Sequence, residues 1–286
     1  MSDEKIMGLI AGADRLPLIV ARGMKSAGYR IVCVGIEDNV NSELKEIVDV
    51  YHGVALARMG GWIKNLRKHH VSRAIMVGKI EKSKAYAPYR VLRYLPDWRG
   101  IRVWYWRLRK TDKRGGSLLG ATADELASAG IYLQDSTMFN KEDLAEAGPM
   151  TSRKPGAAVL ADIQFGIMIA KLLGKADVGQ SITVREKETV AVEALEGTAR
   201  MLRRTGKLCG AGWTLVKVAK PEQDPRFDVP CIGIDTVKSV ASSGGVCIAV
   251  EAGKTFIIDK AATLELAEKE GIVVFGFEAK WEEEGN

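Results

Sequence analysis

The sequence predicts an α/β fold composed of two α/β domains. Apolar runs of strand length alternate with segments of helical periodicity, which is the pattern of strand–helix–strand units. A polar stretch with Pro149 and Pro155 interrupts this alternation and lacks an apolar period. We therefore predict an amino-terminal domain at 1–136, a linker at 137–155, a carboxyl-terminal domain at 156–278 and an acidic tail at 279–286.

The first domain opens with a strand–helix–strand unit. Residues 6–12 predict a buried strand, Pro17 suits the first turn of a helix, and Gly28 ends that helix before a strand at 29–35. A helix that begins directly after a glycine turn can receive a phosphate at its amino terminus. The unit predicts a Rossmann-like domain, although the glycines do not spell G-x-G-x-x-G. A turn that merely needs Gly12 is the alternative interpretation.

A second glycine signal follows in the same domain. Residues 60–70 predict a helix and residues 71–78 a strand, which ends at Gly78-Lys79. Ligands of open α/β sheets bind beyond the carboxyl ends of the strands. We therefore predict that Gly78 and Lys79 contact a phosphate or a sugar.

Composition narrows the class of protein. The chain is 47% hydrophobic and 27% charged, as globular proteins are. We expect no apolar run of the ~18 residues that span a bilayer, and the start M-S-D-E-K is unlike a signal peptide. The four cysteines and three histidines show no metal-ligand spacing, so we predict a reduced, cytosolic protein whose hydrolytic chemistry would use carboxylates.

One segment is strongly basic and aromatic. Residues 58–114 hold 17 lysines and arginines against 3 acidic residues. Its aromatic residues are Trp62, Tyr86, Tyr89, Tyr94, Trp98, Trp104, Tyr105 and Trp106. Pro96 and Gly100 predict two short helices there. The aromatic stripe has three interpretations: packing into the core, contact with a membrane surface or acyl chain, or a platform for single-stranded nucleic acid.

The second domain again alternates strands and helices. Helices are predicted at 157–173, 193–204 and 261–270, and strands at 179–184, 188–192, 210–218, 246–250 and 272–277. In the second of these helices Glu193, Glu196 and Ala199 recur every three residues, which would bring them onto one face. Glu193 has the alternative role of complementing the helix dipole.

Charge is concentrated in the stretch from Lys220 to Gly233. It contains Lys220, Glu222, Asp224, Arg226 and Asp228, and its prolines at 221, 225 and 230 exclude a regular helix. In an extended segment, Asp224, Arg226 and Asp228 would share one face. A solvated surface loop is the alternative, but the flanking apolar strands argue for a function.

Three segments of the chain resemble the LpxI family, the UDP-2,3-diacylglucosamine pyrophosphatases of lipid A synthesis. They are K-P-x-Q-D-x-R-x-D-x-P-x-x-G from Lys220, V-A-V-E-A-x-E-G-T from Val190, and G-Q at Gly179. The resemblance runs from the amino terminus to about Val274. The chain departs from the family's acidic pattern at three positions, which hold Gly115, Gly116 and Ala199.

The resemblance implies hydrolysis of UDP-2,3-diacylglucosamine to UMP and lipid X, dependent on Mg²⁺, in a cleft between the two domains. Charge neutralisation at a pyrophosphate favours Asp224 and Asp228 as catalytic residues and metal ligands, with Arg226 and Lys220 on the phosphates. The implied substrate-binding residues are Gly12, Leu16, Gly78, Lys79, Gln180, Glu196, Gly197 and Thr198. The implied partners are a lipid-linked nucleotide sugar and the anionic cytoplasmic surface of the inner membrane, without nucleic acid; a homodimer stays open.

Three other functions remain alternatives. A relative with altered specificity would act on another nucleotide-linked lipid or sugar, because Gly115, Gly116 and Ala199 replace acidic residues. A nicotinamide oxidoreductase would use the first strand–helix–strand unit. A nucleic-acid-binding module would use residues 58–114 and would bind single strands with a steep dependence on salt.

Overall fold

The computed structural model describes residues 5–36, 40–79, 95–103, 115–220, 223–226 and 228–278. The chain forms two compact units, as the α/β prediction requires. The first consists of Met1–Lys141 and Asp224–Asp228, and the second of Glu142–Gln223 and Val229–Asn286. A short segment of the second half of the chain thus belongs to the first unit.

The first unit alternates strands and helices in the predicted order. Its strands are β1 (Ile6–Ala11), β2 (Arg30–Ile36), β3 (Val50–Val54), β4 (Arg73–Val77) and β5 (Tyr132–Leu133). Its helices are α1 (Leu16–Ser26), α2 (Leu44–Ile47), α3 (Met59–Lys68), α4 (Trp98–Ile101) and α5 (Gly115–Ser128). The predicted β1–α1–β2 unit is confirmed, because apolar strand residues flank a helix that Pro17 opens and Gly28 follows.

The five strands of this unit form a parallel sheet in the order β3-β2-β1-β4-β5. This order is that of the Rossmann fold, and the chain reverses its direction of winding between β1 and β4. Helices α1 and α2 pack on one face of the sheet, where Leu18 and Met24 are buried. Helices α3 and α5 cover the other face with Leu66 and Leu126. Parallel sheets need both faces covered, which explains the almost continuous apolar sequence of β1 and β2.

The second unit is also α/β. Its strands are β6 (Gly148–Pro149), β7 (Ser181–Arg185), β8 (Glu188–Val192), β9 (Trp213–Lys217), β10 (Cys231–Ile232), β11 (Gly245–Glu251), β12 (Phe256–Ile257) and β13 (Val273–Phe277). Its helices are α6 (Ala157–Lys175), α7 (Thr198–Cys209), α8 (Ile234–Ser242) and α9 (Lys260–Glu270).

The main sheet of this unit has six strands in the order β6-β13-β11-β9-β7-β8. Strands β9, β11 and β13 are parallel, whereas β7 is antiparallel to both of its neighbours. Strands β8 and β9 therefore end at the same edge of the sheet. Helix α6 covers one face, and α7, α8 and α9 cover the other around Trp213.

The stretch predicted as a linker is divided between the units. Residues up to Lys141 belong to the first unit, and Glu142 onward belongs to the second. There Gly148–Pro149 pairs with β13, and the N–H of Met150 donates to Val274 at 2.8 Å. A proline is tolerated in this strand because it lies at the edge of the sheet. Low apolar periodicity therefore marked an edge strand rather than a free connection.

Helix α6 corrects one expectation from composition. Its 19 residues have a mean hydropathy of 1.6, enough to cross a membrane by length and composition, and 33% of that window is buried. In the fold it covers the sheet, and it carries the buried charged residues Asp162 and Lys171. The expectation that no run would be long and apolar enough to span a bilayer is therefore wrong.

Two cysteines are core residues. Cys33 and Cys247 are fully buried, and burial raises the pKa of each thiol to about 12. Such thiols remain protonated at neutral pH and act as small apolar groups.

Part of the basic aromatic segment lies outside the described residues. Residues 80–94 and 104–114 belong to this part and contain six of the eight aromatic residues, so the aromatic stripe lies largely outside the description. Within the described part, Trp98 and Leu95 are exposed by 71% and 58%.

Candidate functional site

Two glycines meet at the switch point of the first sheet. A Cβ atom added to Gly12, after β1, would lie 2.8 Å from the carbonyl carbon of Gly78, after β4. Gly78 also has a φ of 103°, which side chains disfavour, so this close backbone approach requires glycine. Lys79 and Ala13 exchange backbone hydrogen bonds of 2.8 and 3.0 Å. The loop after β1, with Gly12, and the loop after β4, with Gly78 and Lys79, are thus paired at the carboxyl ends of adjacent strands. We refer to these paired loops as the glycine turn.

Helix α1 begins at Leu16, directly after this turn. No side chain caps its amino terminus, and its first turn contains no acidic residue. Helix amino termini of this kind suit anions. Leu16 itself is half-buried against the apolar core. Its side chain therefore supports the turn by packing.

A polar cluster lies at the edge where β8 and β9 of the second sheet end. Lys217, at the end of β9, is only 5% exposed, and its Nζ donates to Ser181 Oγ at 3.2 Å. Glu193 follows β8, and its Oε1 accepts the hydroxyl of Thr198 at 2.6 Å. The backbone N–H of Glu193 also donates to the carbonyl of Ser181 at 2.9 Å. These contacts join three elements at one edge.

The carboxylate of Glu193 is charged. Burial raises its pKa, but the charge of Lys217 and the hydrogen bonds from Ser181 and Thr198 outweigh burial, so the net pKa lies below its ordinary value. Its Oε2 is buried and accepts no hydrogen bond from the described residues. A charged oxygen in this state lacks the donors that carboxylates normally have.

The charged stretch starts beside this cluster. Lys220 Nζ lies 2.5 Å from Asp177 Oδ1, and its backbone N–H donates to Gln223 Oε1 at 2.8 Å. The amide nitrogen of Gln223 lies 3.4 Å from Gln180 Oε1. Val218 in turn donates its N–H to the carbonyl of Gln180 at 3.0 Å. Gln180, Lys220 and Gln223 are thus connected within the second unit.

Residues Asp224–Asp228, which belong to the first unit, form a turn. The N–H of Asp228 donates to the carbonyl of Asp224 at 3.0 Å, the spacing of a single helical turn. The carbonyl of Pro225 accepts from the N–H and the hydroxyl of Ser136 at 3.0 and 2.8 Å. Ser136 is 5% exposed, so this anchor is buried.

Within the turn, Arg226 binds Asp224. Its Nε lies 2.9 Å from both carboxylate oxygens, and its Nη2 lies 2.5 Å from Oδ2. These hydrogen bonds lower the pKa of Asp224 below its ordinary 3.8. The same bonds raise the pKa of Arg226, and the nearby charge of Asp124 acts in the same direction. Asp224 is therefore a permanent anion at neutral pH.

Comparison with known proteins identifies this combination of units. Residues 6–142 match the LpxI N-terminal domain, and residues 146–275 match the LpxI C-terminal domain. The chain belongs to the LpxI family. A relative, the UDP-2,3-diacylglucosamine pyrophosphatase LpxI of Caulobacter vibrioides, is 29% identical over 280 residues, which cover 94% of this chain and 96% of the relative.

In this LpxI-family chain, the predicted site residues lie in both units. The first unit contains Gly12, Leu16, Gly78, Lys79, Asp224, Arg226 and Asp228. The second contains Gln180, Glu196, Gly197, Thr198 and Lys220. The contacts above join Gly12 to Gly78, Asp224 to Arg226, and Lys220 to Gln180 through Gln223.

The predicted extended form of residues 224–228 is wrong. Instead of sharing a face, Asp224 and Arg226 bind each other across a turn. The prolines correctly excluded a regular helix, but Pro225 also suits a turn, because its fixed φ matches a turn's first central position. The buried anchor from Ser136, 89 positions away in sequence, then holds this turn in place.

The predicted helix at 193–204 is also corrected. Helix α7 begins only at Thr198, because Gly197 has a φ of 80°, outside the helical region. Glu193 and Glu196 therefore precede the helix and do not share a helical face with Ala199. Glu196 instead binds Arg204, with 2.5 Å between Oε1 and Nη2. Gly197 and Thr198 form the amino terminus of α7.

The family resemblance implies a Mg²⁺ ion, which the residues of the site would have to hold. The described residues contain no group of three or more histidine, cysteine or acidic side chains able to hold a metal. Mg²⁺ commonly needs only one or two carboxylates together with substrate phosphates. Asp228 is half-buried, and its carboxylate has no hydrogen-bond partner among the described residues. Asp224 retains acceptor capacity beside Arg226, because a carboxylate has about four lone-pair positions. The two meet this minimum.

Several residues of the LpxI-family site were missed in the sequence. Lys217 and Ser181 lie on different strands and become neighbours only through β7–β9 pairing. Asp177 follows a predicted helix and Asp124 lies within α5, and only their lysine and arginine partners mark them. The position of Lys217 in an apolar strand was a weak signal of this site, because a lysine buried at the end of a strand needs a polar partner.

Proposed function

We propose that this chain hydrolyses the pyrophosphate bond of UDP-2,3-diacylglucosamine to give UMP and lipid X. The observation that carries the proposal is the match to both LpxI domains, together with a relative named for that activity and matched over 96% of its length. The Asp224–Arg226 turn and the Lys220 cluster provide the charged groups that such chemistry needs. The substrate class is therefore a nucleoside diphosphate linked to a lipid.

Asp224 and Asp228 are the proposed ligands of Mg²⁺. The bound ion would neutralise phosphate charge and orient the attacking water. Because its pKa lies below 3.8, Asp224 is suited to holding a cation and poorly suited to accepting a proton. Lys220, with its side chain 24% exposed, would add a point charge to a phosphate.

The first unit has the features of a phosphate-binding turn. Gly12 and Gly78 leave the backbone uncovered by Cβ atoms, and Lys79 follows directly. The amino terminus of α1 lies next in sequence, with no side-chain cap. We propose that an anionic part of the substrate binds at this turn, which agrees with the position of ligands in open α/β sheets.

The deciding experiment is incubation of the purified chain with UDP-2,3-diacylglucosamine, with Mg²⁺ or with EDTA. We expect UMP and lipid X in equal amounts, only with Mg²⁺. UDP-N-acetylglucosamine, which lacks the two fatty acyl chains, serves as the matched substrate and should react far more slowly. A folded chain that releases neither product would overturn the proposal and favour a relative with a different substrate, for which Gly115, Gly116 and Ala199 are the altered positions.

The lipid part of this substrate requires access to a membrane surface. We propose peripheral binding at the anionic cytoplasmic face of the inner membrane, supported by the exposed side chains of Leu95 and Trp98 within the basic segment. Sedimentation with phosphatidylglycerol vesicles should bring down the protein at low salt and release it at high salt. Trp98→Ser should weaken this binding, and equal binding to neutral vesicles would contradict it.

A further inference from the structure

The second unit contains a buried ion pair that the proposed chemistry does not use. Lys171 lies on α6, and Glu251 is the last residue of β11. Their Nζ and Oε2 atoms are 2.6 Å apart, with side-chain exposures of only 10% and 2%. Lys254 adds a second cation, 2.8 Å from Glu251 Oε1.

Both members of this pair bind the backbone of one residue, Ala219. Lys171 Nζ donates to the carbonyl of Ala219 at 3.1 Å. The N–H of Ala219 donates to Glu251 Oε2 at 2.9 Å. Ala219 is therefore fixed through its donor and its acceptor at once, by the two ends of one ion pair. It lies just after β9 and is 5% exposed.

The residue that follows is Lys220. Its amide donates to Gln223, and its ammonium binds Asp177. Any shift of Ala219 would therefore move the first charged residue of the stretch. Glu251 thus acts on the candidate site from the end of a neighbouring parallel strand, without contacting Lys220 itself in the described structure.

Stability alone gives a poor account of such a pair. Replacing a buried ion pair by apolar side chains is often neutral or stabilising, because both charges lose hydration. Burial raises the pKa of Glu251, but the hydrogen bonds from Lys171, Lys254 and Ala219 outweigh it, and the net pKa is lowered. Glu251 is therefore charged at neutral pH, and the geometry of the pair is directed at one backbone position.

We propose that Lys171 and Glu251 are positioning residues, which fix Ala219 and thereby the direction in which Lys220 meets the substrate phosphates. The inference rests on the hydrolysis proposed above. A displacement of about 1 Å in a group that orients a substrate can cost about 100-fold in rate. The effect should therefore appear in kcat more than in protein stability.

Asp162 provides a matched control in the same unit. It also lies on α6 and is 5% exposed. Its carboxylate accepts the N–H groups of Lys187 and Glu186 at 2.7 and 3.2 Å, in the turn between β7 and β8. This turn lies at the opposite end of β7 from Ser181. Asp162→Asn therefore alters a buried carboxylate that also binds backbone N–H groups, but in a turn remote from Lys220.

The experiment compares Glu251→Gln, the charge-free pair Lys171→Met/Glu251→Gln, and Asp162→Asn. We expect kcat to fall about 10- to 100-fold in the first two, with KM changed less than about threefold. Asp162→Asn should lower Tm while keeping kcat within about twofold. If Glu251→Gln alone fails to fold, the charge-free pair replaces it, because it leaves no unpaired buried charge.

Hydrogen exchange gives a readout that is independent of activity. The amides of Val218, Ala219 and Lys220 should exchange at least about tenfold faster in the charge-free pair, and at the wild-type rate in Asp162→Asn. If the wild type fails to hydrolyse the substrate, the proposed function fails while this exchange result still tests the anchoring. Unchanged exchange at these amides, or a wild-type kcat in the charge-free pair, would overturn the inference.

Discussion

Arg226 binds the carboxylate of Asp224, two residues before it, through Nε contacts of 2.9 Å to both oxygens. This pair closes a turn, and the hydroxyl of Ser136 donates to the carbonyl of Pro225 within that turn. The opposite charges of Asp224 and Arg226 therefore neutralise each other within the turn. A divalent cation at Asp224 would share its carboxylate with a guanidinium that is already in place.

Asp224→Ala should keep the fold and reduce turnover by about two to four orders of magnitude, the range for loss of a directly acting catalytic group. Its carboxylate is the most strongly bound anion of the turn, and the proposed Mg²⁺ would depend on it. Steady-state release of UMP measures the effect. The control is Glu188→Ala, an exposed residue at the start of β8, which should keep wild-type turnover. Near-normal turnover in Asp224→Ala would remove this residue from the mechanism.

Arg226→Met should shift the acidic limb of kcat/KM to higher pH. Hydrogen bonds from Arg226 lower the pKa of Asp224, so in the wild type this carboxylate stays charged until the pH falls below 3.8. Without the guanidinium, the pKa returns toward 3.8 or, through burial, above it. The stabilisation from this pair is likewise present above 3.8 and lost as the pH falls through the lowered pKa. Superimposable acidic limbs in pH–rate profiles of the two proteins would contradict this assignment.

Asp228→Asn should raise the Mg²⁺ concentration needed for half-maximal activity by at least about tenfold, the scale of losses at supporting metal residues. Its carboxylate has no partner among the described residues, so it can bind a cation without breaking an existing ion pair. Titration of activity with Mg²⁺ measures the shift, and excess Mg²⁺ should restore most of the rate. Asp177→Asn, which alters the partner of Lys220, is the comparison and should leave the Mg²⁺ requirement unchanged.

The fold was predictable where a short stretch of sequence determines the structure. The apolar residues of β1 and β2 can only be buried, and Pro17 and Gly28 mark the limits of α1. The same holds for β7 and β8, which a two-residue turn joins. These features depend only on residues within a few positions along the chain, so they can be predicted from a single sequence.

The site was less predictable because its geometry depends on distant partners. The turn at Asp224 is held by Ser136, and Lys217 meets Ser181 only after strands pair. The start of α7 shows a different limit. The spacing of three residues between Glu193 and Glu196 predicted a helix there. The positive φ of Gly197 instead makes α7 begin only at Thr198. Spacing along the sequence was therefore a poor guide to the geometry of these residues.

Gly12→Ala should destabilise the first unit and weaken substrate binding together. A Cβ atom there would lie 2.8 Å from the backbone carbon of Gly78 and 3.0 Å from the carbonyl oxygen of Lys79, and backbone cannot rotate away as a side chain can. We expect a loss of about 1–3 kcal/mol in the free energy of unfolding, the usual cost of overpacking. Chemical denaturation measures this loss, and KM reports the displaced turn. Gly120→Ala in α5 is the control, because a Cβ there meets nothing within 4 Å and should stabilise the helix by about 0.5–1 kcal/mol. A Gly12→Ala protein with wild-type stability and KM would show that the two strand ends can separate without consequence, and it would remove this turn from the proposed phosphate site.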